Sequence, residues 1–396
     1  LADLPDKVKL KTGPAGRLSK ILPARESHDI TTRVGSSYGG NHSLQWIEEP
    51  RNLLVVTKRC DEEVNEKLRG LVSHVNQAYP SMNIVIEAHN ASALQDQEYK
   101  NLVILPSTST SSPTSASPLS SKIDLILTLG GDGTILHASS LFSHSPVPPV
   151  LSFSMGTLGF LLPWHIDSMK EALRDVLGGK VTLLLRMRLS LSTHEGDGSL
   201  VAAEGGKGGR PSCEVHLMNE VTLHRGSQPH MTTIDAYVDG EHLTRAISDG
   251  LIIASPTGST AYSLSAGGSI VHPSVQSLLL TPICPRSLSF RPLVLPSDTT
   301  VQLRVSPQSR SPAEITVDGR TGMLKPGQYL QVSMSPYPIP CVNRSLPKER
   351  WENEGKGKKT AIPDIPTGSG GSGTTDRGED DWVRDINRLL RFNASF

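Results

Sequence analysis

The chain has 396 residues, about the length of two to three average domains. Lys plus Arg is 39 and Asp plus Glu is 39, a formal net charge of zero. That balance argues against a general nucleic-acid or membrane-surface binder, which needs a cationic excess. No run approaches the roughly 18 uninterrupted apolar residues of a membrane span. Cys60, Cys213, Cys284 and Cys341 are far apart with no C-x-x-C pair, which fits a reducing compartment better than a disulfide or zinc scaffold.

Residues 1–50 show no clear period and read as an extension. Gly35-Ser36-Ser37-Tyr38-Gly39 matches G-x-S-x-G, but no strand precedes it and no helix follows, so it reads as plain loop. An α/β domain is expected over 51–180. Leu53–Val56 is a buried-strand run, and Val64, Leu68, Leu71, Val72 and Val75 follow at helical spacing. Ile84–Ile86, Ile123–Leu129 and Val150–Phe153 are further strands. A short helix is predicted through Phe142, and another is outlined by Ile166, Met169, Leu173, Val176 and Leu177. Such alternation predicts a parallel sheet. The Ser/Thr/Pro-rich stretch Pro106–Ser121 reads as a mobile insertion.

From 181 to 345 short alternating runs predict a β-rich domain, with a Gly-rich insertion near 196–209. Asp239-Gly240 and Asp318-Gly319 each sit between apolar alternations, as two-residue hairpins require. Residues 346–380 read as a flexible linker. Over 381–396, Trp382, Val383, Ile386, Leu389 and Leu390 form an apolar helical face expected to dock back on the body.

The strongest chemical feature is Gly130-Gly131-Asp132-Gly133-Thr134, directly after an apolar strand. Missing Cβ atoms let the backbone turn sharply and approach a phosphate chain. Amides at the turn and helix start can then face anionic oxygens. A carboxylate there makes sense if Asp132 holds Mg²⁺ or accepts a proton from an attacking hydroxyl; the competing reading is an ordinary strand-to-helix turn with a capping aspartate. Asp249-Gly250 and the run Pro256 to Ser263 offer hydroxyls and small residues for a polar pocket wall, with Tyr262 able to border a base. Asn219-Glu220 can take both edges of a base or a pair of ribose hydroxyls, although alone it reads as a strand-edge dipeptide. There is no Walker G-x-x-x-x-G-K-[ST] and no H-E-x-x-H, and no residue is assigned as a metal ligand.

Taken together and in order, Gly130 to Thr134, Asn219-Glu220, and Asp249-Gly250 with Thr257 to Tyr262 resemble the ATP-dependent NAD kinases. The resemblance covers roughly 50–345 and includes Gly156–Leu161 and Thr281–Pro292. Leu223–Gly226, Asp239–Arg245 and the tail from Asp381 are most similar to the fungal mitochondrial NADH kinase branch. The implied fold is an α/β N-terminal domain with a parallel sheet plus a β-rich C-terminal domain. The implied reaction transfers the γ-phosphate of ATP to the 2′-hydroxyl of the adenosine ribose of NADH or NAD, with Mg²⁺ beside ATP. Asp132 matches the catalytic aspartate. Gly130, Gly131, Gly133 and Thr134 match the ATP loop. Asn219 and Glu220 match the pair at the adenosine end, and Asp249 the acid near the other ribose. Thr257, Thr260, Ala261, Tyr262 and Ser265 match the dinucleotide wall, Phe160 an aromatic bordering it, and Arg225 belongs to the same binding set. Small-molecule substrates, a homo-oligomer and the mitochondrial matrix are expected, with no nucleic acid and no membrane; a targeting segment would lie upstream. Apolar Ala246 and Ile247 before Asp249 would suit the neutral ring of NADH. Lipid kinases of the diacylglycerol or sphingosine type share the glycine loop, but the polar Thr257–Tyr262 wall argues against a lipid pocket.

Overall fold

The computed structural model describes residues 16–17, 28–32, 41–95, 99–105, 119–156, 161–179, 181–201 and 214–343, and the helical positions Trp382, Ile386 and Leu390. The loop at Gly35–Gly39, most of both insertions, the linker, Phe160 and Leu389 lie outside the described residues.

Five strands form the parallel centre of the first sheet: Leu102–Leu105, Asn83–Glu87, Asn52–Thr57, Leu125–Gly130 and Val150–Ser154, side by side in that order. Helices and further chain cover both faces, so the strands carry apolar residues continuously rather than in alternation. Leu53, Leu54, Val55 and Val56 are each fully buried. The helix Glu62–Ala78 begins on Asp61, whose carboxylate accepts the Val64 amide, and it buries the five predicted apolar positions. In chain order the five strands read third, second, first, fourth, fifth. The build of the sheet therefore reverses between Asn52–Thr57 and Leu125–Gly130, and ligands of such sheets bind beyond the C-terminal strand ends at that reversal. Gly130 stands at that place.

The second domain is two six-stranded antiparallel sheets packed face to face. Leu189, Leu191, Leu303 and Val332 of one meet Val221, Leu223, Leu251 and Ile253 of the other in a common core. Both Asp-Gly pairs form hairpin turns with positive φ at the two central residues: 50° and 84° at Asp239 and Gly240, 43° and 85° at Asp318 and Gly319.

Two expectations need correction. Residues 1–50 are not a bare extension, because His28–Thr32 and Asn41–Trp46 add antiparallel strands at one edge of the first sheet and Gly16–Arg17 pairs at the other. The β-rich domain also does not begin cleanly at 181. Thr182–Arg186 and Ile339–Asn343 pair with each other and return to the first sheet beside Val150–Ser154. Two strands of the second half of the chain thus belong to the first sheet and tie the two domains together.

Candidate functional site

The glycine turn leads from the strand Leu125–Gly130 into the helix Asp132–Ser140, with Gly131 as its N-cap. A Cβ at Gly130 would collide with the Thr134 hydroxyl and come within 3.1 Å of the Lys58 side chain. The fold itself therefore requires that glycine. At Gly131 and Gly133 a Cβ would meet nothing within 4 Å. Packing among the described residues does not explain those two; Gly131 serves as the N-cap, and the open space at both leaves room for close approach by a ligand.

Asp132 opens the helix with its side chain exposed to solvent, yet the protein around it desolvates it enough to raise its pKa above the ordinary carboxylate value; the Arg186 charge and a hydrogen bond from the Leu161 amide oppose the rise. Arg186 is buried at 7% exposure, and its Nη1 donates to Thr257 Oγ1 at 3.4 Å. The glycine turn and the Thr257 wall, 125 positions apart in the chain at Asp132 and Thr257, thus share one cation. Arg186 was not singled out from sequence; it lies in a run of leucines with no motif around it.

The second motif is held by a residue that the sequence offered only as a turn. Asp318 accepts the amides of Met218 at 2.7 Å, Asn219 at 2.9 Å and Glu220 at 3.1 Å. Burial raises its pKa and those three amides pull it back. The third motif is clasped onto the second. Ser255 donates through its hydroxyl to Met218 O at 2.6 Å and through its amide to Asn219 O at 2.8 Å. Gly258 packs so closely on Asn219 that a Cβ would overlap the Asn219 carbonyl.

Glu220 is then reached by the amides of Ser263 and Tyr262. Burial pushes its pKa up to about 7, with the like charge of Asp318 adding to the rise. Asn219 Oδ1 and Glu220 Oε2 are buried acceptors with no hydrogen-bond partner among the described residues. Orphaned buried acceptors carry a desolvation cost that a ligand hydroxyl or amino group would relieve. They stand beside a cleft of about 250 Å³ lined by Glu220, Thr222, His224, Tyr262, Glu314, Thr316, Asp318 and Gly319.

Of the remaining expected residues, Asp249 is paired with Arg225, Nε to Oδ1 at 2.6 Å. Tyr262 is 41% exposed, and partial burial raises its hydroxyl pKa above the ordinary value, with the negative charges of Glu220 and Asp249 adding to the rise. Thr260 donates to Thr257 O at 3.2 Å, and the Ala261 amide donates to Gly258 O. Ser265 ends the short helix Tyr262–Ser265 in an exposed position. Ala246 does not face a ligand: it is 3% exposed in the core between the sheets, while Ile247 is 37% exposed. Among the described residues no group of three or more His, Cys, Asp or Glu side chains is arranged to hold a metal.

A glycine turn at the reversal of a parallel sheet, opened into a helix by a carboxylate, in a chain whose second domain offers unpaired buried acceptors beside a cleft, suits an enzyme acting on phosphate-bearing nucleotides. Comparison with known proteins gives the family. The ATP-NAD kinase N-terminal domain matches residues 53–181 and the ATP-NAD kinase C-terminal domain matches 218–344. The mitochondrial NADH kinase pos5 of Schizosaccharomyces pombe is 40% identical over 365 residues, covering 91% of this chain and 80% of its own length. The mitochondrial NADH kinase POS5 of Saccharomyces cerevisiae is 34% identical over 413 residues, covering 99% and 93%. The crystal structure of yeast NADH kinase complexed with NADH matches with a TM-score of 0.76 at 32% identity, covering 96% of this chain and 98% of that one. An NAD kinase from Archaeoglobus fulgidus in complex with ATP shares the fold at 19% identity, with a TM-score of 0.51 over 76% of this chain and 96% of that one. The chain belongs to the ATP-NAD kinase family. Nothing in these matches favours the lipid-kinase alternative.

Two outcomes test this geometry. Gly133→Ala places a methyl group in open space within a helix, where Ala is favoured over Gly by up to about 1 kcal/mol. The variant should melt no lower than the parent, while kcat/KM for ATP falls about tenfold through lost close approach. An unchanged kcat/KM would remove the ligand argument for this glycine.

The second outcome concerns Glu220. Its folded pKa of about 7 lies above the ordinary 4.5, so the folded chain holds that proton more tightly than the unfolded one. The resulting stability is full below about pH 4.5 and is lost as pH rises through about 7. Glu220→Gln in the ligand-free protein should therefore gain about 1–3 kcal/mol over the parent at pH 8, and the gain should vanish near pH 4.5. Urea titrations at the two pH values measure it; a pH-independent difference contradicts the assignment.

Proposed function

We propose that the chain transfers the γ-phosphate of ATP to the 2′-hydroxyl of the adenosine ribose of NADH and of NAD, giving NADPH and NADP. The observation that carries the residue assignment is Asp132, a carboxylate with raised pKa at a glycine turn whose open faces the protein leaves unfilled. ATP lies along Gly130, Gly131, Gly133 and Thr134, with its phosphates on the helix-start amides. Asp132 takes the proton of the 2′-hydroxyl as that oxygen attacks the γ-phosphorus. The bond from phosphorus to the bridging oxygen breaks and ADP leaves. A base pKa moved toward neutrality suits this role. Arg186 offsets the charge that collects on the transferring group.

Mg²⁺ belongs to this reading as the companion of ATP. Such sites commonly combine one or two carboxylates with substrate phosphates, and Asp132 is a carboxylate at the loop. When bound, the ion supplies charge neutralisation on the phosphates. The orphan oxygens of Asn219 and Glu220 would accept from the adenosine end of the dinucleotide, and Thr257, Thr260, Ala261, Tyr262 and Ser265 would wall it, with Phe160 at its border. Asp249 would engage the second ribose, oriented by Arg225. The two named fungal relatives are mitochondrial, and the same compartment is proposed for this chain.

A homo-oligomer is proposed as well. Val294 and Met323, 51% and 59% exposed, lie on the two edge strands of one sheet, and Leu243, 41% exposed, lies on an edge strand of the other. Exposed apolar edges of this kind are normally covered. Sedimentation at the monomer mass across micromolar concentrations would remove this part.

A paired assay tests the reaction. With ATP and Mg²⁺, NADH should be used with a specificity constant about tenfold above that for NAD, a difference of only about 1.4 kcal/mol in the transition state. The reduced ring is neutral, and exposed Ile247 rather than buried Ala246 is the apolar side chain beside Asp249 that would suit it. Asp132→Asn should lower kcat with either acceptor by about 10²–10⁴ while dinucleotide binding survives. Near-normal turnover in the folded variant would overturn the role of Asp132; equal or better use of NAD would remove the preference.

A further inference from the structure

The loops after Asn52–Thr57 and Leu125–Gly130 bound the place where the first sheet reverses. One of them is the glycine turn; the other begins at Lys58. Thr57 is level with Leu129 in the parallel ladder, and the Lys58 amide donates to Leu129 O at 2.9 Å. That bond fixes the root of the Lys58 side chain against the turn. A Cβ added at Gly130 would stand 3.1 Å from the Lys58 Cβ. Beyond this root the Lys58 side chain is 60% exposed, and its ammonium rests 2.9 Å from Asp61 Oδ2. The helices that follow these loops differ in what meets their first amides. Glu62–Ala78 is capped by Asp61, whose carboxylate accepts the Val64 amide. No side chain caps Asp132–Ser140. A helix start without an anionic cap is the better place for a bound anion, and Lys58 stands beside it.

From this placement we infer that Lys58 is a phosphate-binding residue of the site: its ammonium leaves Asp61 and grips the phosphates of ATP laid along the glycine turn. The inference rests on the reading of that turn as the ATP loop. An exposed ion pair contributes little to stability, so exchanging Asp61 for a phosphate chain costs little. Lysine suits the exchange, because its compact charge sits on a flexible stem and its donors rotate to meet the ligand. The new partner also carries several negative charges where Asp61 carries one, so the attraction grows. Asp132 brings a carboxyl to the same turn, where phosphates must come. A cation rooted against Gly130 offsets that repulsion.

The test follows NADPH formation by the full-length enzyme with NADH, ATP and Mg²⁺. In Lys58→Met, kcat/KM for ATP should fall about tenfold, mainly through KM, while KM for NADH stays within about twofold. Inorganic tripolyphosphate, competing with ATP, should inhibit this variant about tenfold less tightly than the parent. Lys58→Arg keeps the charge and should restore most of both. Asp61→Asn supplies the contrast. Asparagine caps a helix as well as aspartate does, and the released ammonium is free for phosphate, so KM for ATP should fall or stay level. If Lys58 matters only as the partner of Asp61, both variants should raise KM for ATP and melt lower. A raised KM for ATP in Asp61→Asn therefore overturns the inference, as does an unchanged KM for ATP in folded Lys58→Met. Should Lys58→Met unfold at assay temperature, Lys58→Gln is read in the same way. Gly133→Ala separates this failure from failure of the loop reading: a weakened Gly133→Ala beside a normal Lys58→Met removes the role of Lys58 alone, whereas unchanged kcat/KM for ATP in both removes the ATP loop itself.

Discussion

The two halves of the cleft are fastened to each other by a buried cation. Arg188 is 0% exposed and donates to three carbonyl oxygens: Tyr337 at 2.6 Å, Phe142 at 3.1 Å and Ser145 at 2.8 Å. Phe142 and Ser145 follow the helix that begins at Asp132, whereas Arg188 and Tyr337 flank strands of the β-rich domain. Burial lowers the Arg188 pKa only to about 10, so it stays charged at neutral pH. A fully buried charge is tolerated when its hydrogen bonds are satisfied. Two of the three carbonyls, those of Phe142 and Ser145, come from the turns that follow the C-terminal end of the loop's helix. Where the glycine turn points is thus tied, through one short rigid helix, to where the second domain sits.

Asp318 is the negative counterpart. Its charge favours the protonated Arg188, while its two oxygens hold the amides of Met218, Asn219 and Glu220. The same dipeptide at Asp239-Gly240 makes the same turn, yet there the carboxylate accepts a single amide, Thr300 at 2.8 Å, on the far side of the sandwich. Turn geometry follows from the Asp-Gly pair alone. What the carboxylate grips follows from which strand lies opposite, and Glu220 is 98 positions away in sequence.

That distinction separates what was legible from what was not. Leu53–Val56, Leu125–Gly130 and the helix over Val64–Val75 could be read because strands buried on both faces are continuously apolar and a helix on a sheet shows its 3.6-residue period. His28–Thr32 could not, because His-Asp-Ile-Thr-Thr on a sheet edge has neither pattern. The crossing of Thr182–Arg186 into the first sheet also escaped, since alternation reports a strand but not its partner. In the cleft, Asp132, Asn219, Glu220 and the Thr257 wall stood out through glycines and paired polar residues. Arg186, Arg188 and Asp318 did not, because each acts on residues distant in sequence from within or beside an ordinary strand or turn.

The division of charge between the domains follows the chemistry that the proposed substrates impose. Phosphates are anionic acceptors and need donors: in the proposed reading, helix-start amides at Gly131–Gly133 and the Arg186 guanidinium would meet that need from the α/β side and its crossing strand. Ribose and adenine present hydroxyl and amino donors and need acceptors, which Asn219 Oδ1 and Glu220 Oε2 offer from the β-rich side. Placing carboxylates among phosphates would ordinarily be repulsive. Desolvation raises the pKa of Asp132, the carboxylate at the glycine turn, while the Arg186 charge opposes the rise. A proton-accepting group has to occupy that position if a ribose hydroxyl is to be activated within reach of the γ-phosphorus.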